Sequence, residues 1–220
     1  MIPLWVYRAE LTLLAASNGP ALFRHLYGLP WYGGLLRQWA ADSLAAATGA
    51  VRDLCEIGCG PGDLLHDLVQ PSQQATGIDA SAAMLRAARP HPLVRFQSGR
   101  LPDVPLAAGS QDVVLAASVL NCVPDPWASL AGMARITRTG GVVSVLVPTG
   151  PRASVGDLLR DAGTLGLAGR SAAALVHWLR MARVVDPAEA ARWFTAAGLQ
   201  QVTITPYLRG RVSGIRGRVS

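Results

Sequence analysis

The decapeptide LCEIGCGPGD, residues 54–63, sets three glycines at alternate positions behind a short apolar run and between two carboxylates. A glycine-rich turn lets a ligand lie against the backbone, because no Cβ stands in the way. A dinucleotide site asks for G-x-G-x-x-G, with its third glycine packing a helix on a strand. Here the pattern is Gly58-x-Gly60-x-Gly62, and Asp63 takes the place of that third glycine. Glu56 and Asp63 disfavour a phosphate at the helix N-terminus that would otherwise welcome one. A phosphate loop ending in Gly-Lys-Ser/Thr is absent, since the chain has no lysine. The turn therefore suits a ligand without phosphates, and its charge admits a cationic one.

Asp79 closes the next apolar run, GIDA. In doubly wound folds an acid at this strand end takes two ribose hydroxyls, and a carboxylate has the two acceptor oxygens to do so. Other candidate chemistry is sparse. Asn121 follows the fourth apolar run, where it could face an acceptor or simply turn the chain before VPDP. His25 and His177 are the remaining candidates for contact with an acceptor; His66 and His91 read as structural. The three cysteines, Cys55, Cys59 and Cys122, are odd in number and lack zinc spacing, so no metal is expected. They read as free thiols of a reducing cytoplasm, with Cys55 in a strand and Cys59 in the turn rather than as nucleophiles.

The elements that must position these residues follow a β-α beat. RDLCEIGCG reads as a buried strand running into the turn, GDLLHDLVQ as a helix, ATGIDA as a strand and SAAMLRAAR as a helix capped by Ser81. LVRFQSG and SQDVVLAAS are further strands. PWASLAGMARI is a helix stopped by the turn TRTGG, and VVSVLVP is a fifth strand. Alternation of this kind predicts a doubly wound, mostly parallel sheet. Before it, residues 1–50 read as a helical cap, with AELTLLAA and GGLLRQWAADSLAAATGA separated by SNGP and GLPWYGG. The cofactor core spans 51–148. Residues 151–184 read as a helical lid insertion. From 186 to 220 a helix with Asp186 at its cap and Pro187 at its first position precedes two edge strands. All of this forms one domain.

The chain has 220 residues, half of them hydrophobic and 15% charged, which argues against disorder. The net charge of +6 is carried entirely by arginine, spread along the chain apart from a group at Arg209, Arg211, Arg216 and Arg218. That spread, and the lack of an added RNA-binding module, argue against a nucleic-acid partner. No apolar run reaches the ~20 residues of a membrane span.

The ordered set CEIGCGPG, GIDASAAML and residues 96–148 resembles the successive motifs of the class I S-adenosylmethionine-dependent methyltransferases, and within them the branch acting on quinones, lipids and other small molecules. The resemblance implies an α/β, Rossmann-like, seven-stranded sheet with an antiparallel last strand. It also implies in-line transfer of the S-adenosylmethionine methyl to a small, rather apolar acceptor, leaving S-adenosylhomocysteine. Carried over by position, Glu56 with Gly58, Cys59, Gly60 and Gly62 cradles the methionine part and ribose, and Asp79 binds the ribose hydroxyls. Ala80 and Met84 flank the adenine, Gly99, Arg100 and Leu101 pass its amino edge, and Ala117 and Ser118 face the sulfonium. Tyr27, Trp31, Tyr32, Asn121 and Trp178 are the expected acceptor wall. Two departures stand out. Arg100, a pure donor, replaces an acid that accepts from adenine, and Gln111 replaces an aromatic residue. Two other readings remain open: a phospholipid or quinone acceptor met at a membrane surface, and a catalytically silent cofactor-binding protein.

Overall fold

The structure, a computed structural model, describes residues 17–151 and 153–220. The helix expected over AELTLLAA lies outside these residues. Seven strands form one sheet: β1 Asp53–Ile57, β2 Gln74–Asp79, β3 Val94–Ser98, β4 Gln111–Ala117, β5 Thr137–Pro148, β6 Leu199–Tyr207 and β7 Val212–Val219. Their order is β3-β2-β1-β4-β5-β7-β6. β7 runs antiparallel to both neighbours, and every other pairing is parallel. Eight α-helices accompany them among the described residues: α1 Gly19–Tyr27, α2 Pro30–Ala45, α3 Asp63–Leu68, α4 Ala82–Ala87, α5 Pro126–Ile136, α6 Val155–Thr164, α7 Gly169–Met181 and α8 Pro187–Ala196. None is long and apolar enough to cross a membrane.

Strand alternation splits the core into two layers. Cys55 and Ile57 of β1, Val114 and Ala116 of β4, and Val143 and Val145 of β5 face the layer built by α5 and α8. Leu54, Val113, Leu115, Val142 and Leu146 face the other, with Leu36 and Trp39 of α2 and Leu65 of α3. Both faces of the central strands are covered, which is why these segments read as nearly unbroken apolar runs. Each fully buried Leu, Ile or Phe contributes about 1.5–3 kcal/mol of transfer free energy. Polar groups sunk beneath β5 are paired: Ser144 Oγ accepts from Trp39 Nε1 at 3.0 Å and from Ser43 Oγ at 2.8 Å.

Two boundaries differ from the expected ones. GLPWYGG does separate two helices, but α2 begins already at Pro30 rather than at Gly33, since a proline at the first helical position costs no hydrogen bond. The chain turns only at Gly28 and Leu29. TRTGG is drawn into β5 as an irregular stretch: Thr137 pairs with Gln111, and Val142 with Val113, so the intervening residues bulge. The expected caps are present. Ser81 Oγ accepts from Met84 N, and Asp186 Oδ1 from Ala188 N and Glu189 N.

The lower ends of β1, β4 and β5 are joined by Asp112. Its carboxylate accepts from the N–H groups of Arg52 and Asp53 at 2.7 and 2.8 Å and from Arg138, which also reaches Asp53 at 2.7 Å. Burial works to raise the Asp112 pKa, but the two N–H donors and Arg138 outweigh it and hold the carboxyl below its usual range. A group with a depressed folded pKa contributes stability above its unfolded pKa, near 4, and loses it as pH falls. Denaturant titrations between pH 7 and pH 3 should therefore show a decline on the acid side. Asp112→Asn should lower stability by about 1–3 kcal/mol at pH 7 and flatten that decline. An unchanged acid limb in the variant would contradict this assignment.

Candidate functional site

The site lies outside the carboxyl ends of β1 and β4, where the strand order reverses. This is the position where doubly wound sheets open a crevice. β1 pairs with β2 so that Ile57 stands beside Ile78. The chain leaving Ile57 therefore turns straight over the end of β2. Ile78 O accepts from both Gly58 N and Cys59 N, at 2.7 and 3.1 Å. Asp79 Oδ2 accepts from Gly60 N, and Asp79 Oδ1 from Ser81 N, both at 2.8 Å. The glycines differ in role. Gly62 has φ +82°, and a Cβ there would lie 2.3 Å from Phe96 Cζ, so this glycine serves packing. Gly60 has φ +54° and nothing within 4 Å of where a Cβ would be. Its face is the open one.

Above this turn is a narrow cleft of about 50 Å³. Glu56, Gly58, Cys59 and Gly60 form its floor, Ala117 and Tyr32 one wall, and Phe23 and Tyr27 of α1 its roof. Glu56 is 4% exposed, and its Oε2 has no hydrogen-bond partner among the described residues. Burial, then the charges of Asp79 and Asp63, push its pKa well above the usual carboxylate range. A buried carboxylate without a partner is costly, and this one sits on the site floor.

Beyond Ala117, Ser118 holds φ +55°, a strained setting for a residue with a Cβ, costing about 1–3 kcal/mol. Its N–H donates to Leu146 O at 2.7 Å. Tyr32 packs edge-on against Trp31 and Trp178, with centroids 5.4 Å away in each case. Burial, then the charge of Glu56, raise the Tyr32 phenol to about 12, while Ser118 opposes the shift. The Cys59 thiol is likewise pushed up, first by burial and then by Glu56. Neither is ionised near neutral pH. Asn121 is 6% exposed, and its Oδ1 has no partner among the described residues.

The remaining candidates are dispersed around this centre. Gly99 N donates to Asp79 O at 3.2 Å, which brings residues 99–101 beside the end of β2. Arg100 is exposed there, whereas the Leu101 side chain enters the core. Ala80 is exposed at the strand end, and Met84 on α4 packs under Gly19 at the start of α1. His25, in the last turn of α1, and His177, on α7, do not line the cleft. Asp63 lines it, as do Phe23, Leu36, Pro61 and Leu64, which were not singled out from the sequence. An apolar residue on a helix carries no sign that it roofs a site. Tyr27 OH donates to Asp67 Oδ2 at 2.6 Å, and Arg37 reaches the same oxygen at 3.1 Å, so this trio ties α1 to α2 and α3.

Comparison with known proteins agrees with this geometry. Residues 55–145 match the family model described as a methyltransferase domain. A trans-aconitate 2-methyltransferase from Deinococcus radiodurans is 38% identical over 97 residues, which cover 42% of this chain and 36% of that protein. A ubiquinone biosynthesis O-methyltransferase from Thiobacillus denitrificans is 29% identical over 184 residues, covering 77% and 73%. The chain thus spans little more than a third of the first relative and nearly three quarters of the second. A SAM-dependent methyltransferase from Aquifex aeolicus superposes with a TM-score of 0.64 at 13% identity, covering 91% of this chain and 98% of that one, a likeness of fold. The glycine turn hung from β2, the sheet order and the matched segment together make residues 55–145 similar to a methyltransferase domain.

Proposed function

We propose that the chain transfers the methyl group of S-adenosylmethionine to a small acceptor with an apolar body. The observation that carries this reading is the unpartnered Glu56 carboxylate on the cleft floor, beside a clamped glycine turn with one open face. When bound, the cofactor supplies an activated methyl on a sulfonium. Glu56 offers the charge that a cationic amine neutralises, and Gly58, Cys59 and Gly60 offer backbone. Asp79 keeps lone pairs for two hydroxyls while holding Gly60 and Ser81. Gly99 to Leu101, Ala80 and Met84 are assigned to the base, and Gly62 to the shape of the turn. Ala117 and Ser118 face the methyl, and Trp31, Tyr32 and Trp178 shield that end from water.

Within the cleft, tyrosine and cysteine keep their protons, so neither is the base. Acceleration then rests on alignment and a dry site, with Asn121 Oδ1 free to accept a hydrogen bond from the acceptor. Assigning Tyr27 to this wall makes it part of the roof. The cleft as it stands is too small for a nucleoside, so α1 must lift for entry. It buries no residue fully, which makes that motion inexpensive.

Calorimetry should detect S-adenosylmethionine binding, and absence of heat at millimolar cofactor would overturn the reading. Asp79→Ala should weaken binding by about 1–3 kcal/mol through lost charged hydrogen bonds; wild-type affinity would remove the ribose assignment. Glu56 yields a linked pair of outcomes. Its folded carboxyl keeps a proton to higher pH than the unfolded one, so ligand-free stability declines as pH rises above about 4.3. Glu56→Gln should flatten that decline. Cofactor binding to the wild type should also release a proton, seen as an enthalpy that varies with buffer ionisation heat, and this variation should vanish in the variant. Tyr27→Phe, which frees α1 from Asp67, should speed cofactor association and dissociation several-fold in stopped-flow tryptophan fluorescence. Unchanged rates would place the gate elsewhere.

A further inference from the structure

A second and larger cavity, of about 390 Å³, opens past the end of β5. Its floor is Thr149, Leu158 of α6 and Leu179 of α7, and its rim carries Arg180, Arg183 and Arg211. Arg211 is largely covered. Its Nε donates to Asp161 Oδ2 at 2.8 Å and its Nη1 to Pro151 O at 3.1 Å, which fixes the guanidinium in place. Arg209 approaches the same carboxylate at 4.0 Å. Arg180 and Arg183 are exposed and make no hydrogen bond or ion pair with any described residue. The connection carrying Arg183 is anchored, because Val185 N donates to Pro148 O at 3.0 Å. Three guanidiniums, those of Arg180, Arg183 and Arg211, thus line one cavity, and of these only Arg211 is paired with a carboxylate, Asp161.

The place of the cavity relative to the cofactor cleft gives this charge a purpose. Ala117, on the cleft wall, pairs with Leu146. Thr149 lies three residues further along, on the order of 10 Å at strand spacing. Trp178, edge-on to Tyr32, immediately precedes Leu179 and Arg180. One turn of α7 therefore closes the methyl end with an aromatic ring and lines the cavity with a cation. We propose that this cavity seats an anionic group, carboxylate or phosphate, of the methyl acceptor, whose apolar body runs back along Leu179 toward Trp178. This assignment rests on the methyl-transfer reading above. Guanidinium is the matching partner, since its planar fork meets carboxylate and phosphate oxygens in pairs.

The test uses the whole chain, with citrate and inorganic phosphate as probes at fixed ionic strength, and S-adenosylmethionine and S-adenosylhomocysteine titrated separately. Citrate or phosphate should bind the wild type, with affinity at least tenfold weaker in Arg180→Ala/Arg183→Ala, while S-adenosylmethionine affinity stays the same in both. Citrate should bind equally well to protein saturated with S-adenosylhomocysteine, because the two sites adjoin without overlapping. Sedimentation with phosphatidylglycerol vesicles separates the sources. Vesicle binding lost in the double variant, with no binding of free anions, assigns the group to a lipid headgroup, and the converse assigns it to a free acid. Equal binding of anions and vesicles by both proteins, binding by neither, or displacement of S-adenosylhomocysteine by citrate would overturn the proposal. Failure of the wild type to bind S-adenosylmethionine, by contrast, would strike the methyl-transfer reading itself, whatever the anions do.

Discussion

The site hangs on one short suspension. Ile78 O receives two N–H groups from the turn after β1, and the neighbouring Asp79 carboxylate receives a third from Gly60 and a fourth from Ser81. These bonds form because β1 and β2 end in register, Ile57 beside Ile78. Slipping a parallel pair by one residue would turn every side chain to the opposite face. The apolar alternation that fixes the sheet thus also fixes where the turn lands. Asp79 does two jobs at once: it joins β1, β2 and α4, and it stays half-exposed at the crevice. A carboxylate can do both because its two oxygens carry more lone pairs than two N–H groups consume.

Around that suspension the chain tolerates a charge conflict. Glu56, Asp63 and Asp79 converge, and burial, then the charges of Asp79 and Asp63, raise the pKa of Glu56. Two of the three are relieved locally. Asp79 has its backbone donors, and Asp63 has the N-terminus of α3 and Arg89 at 3.4 Å. Glu56 has neither. Elsewhere the sheet satisfies its buried polar groups, as at Trp39, Ser43 and Ser144, or at Thr149 and Ser213. Glu56, Asn121, Trp31 and His66 each keep a buried polar atom without a partner among the described residues, and of these Glu56 lines the crevice. An interior polar atom left open at the crevice is one that a ligand can satisfy.

Much of the β-α core was legible because the central strands are buried on both faces and bounded by glycine, serine or aspartate at positions with one mechanical job. Ser81 and Asp186 cap helices, and Gly58 to Gly62 turn the chain. The edges of elements were less legible for specific reasons. GLPWYGG contains breakers, yet a proline at the first helical position starts a helix as readily as it ends one. TRTGG reads as a turn, but pairing with Gln111 draws its first residue into the sheet. The glycine turn and its suspension from β2 were legible from local motifs, since one strand–turn–strand unit builds them. The roof of the cleft was not, because Phe23 and Tyr27 reach the glycine turn through the packing of α1 on α2 and α4 and the bond from Tyr27 to Asp67.

The charge distribution shows why sequence distance misleads about function. Along the chain the arginines look evenly scattered, and the C-terminal group looks like the one patch. Folding breaks that group up. Arg218 donates to Gly140 O and Ala46 O at the far end of the sheet, while Arg211 turns toward Asp161 and Pro151. Arg180 and Arg183, unremarkable on a helix expected to be a lid, come to the same cavity from a segment almost thirty residues away. A surface arginine that finds no carboxylate is ordinarily hydrated and contributes little. When three are brought around one hollow, their mutual repulsion is a cost that a bound anion offsets. The excess of arginine over acid in this chain is therefore best understood by location: it offsets acids at the strand ends, and beyond β5 it is left in surplus around the cavity at Thr149.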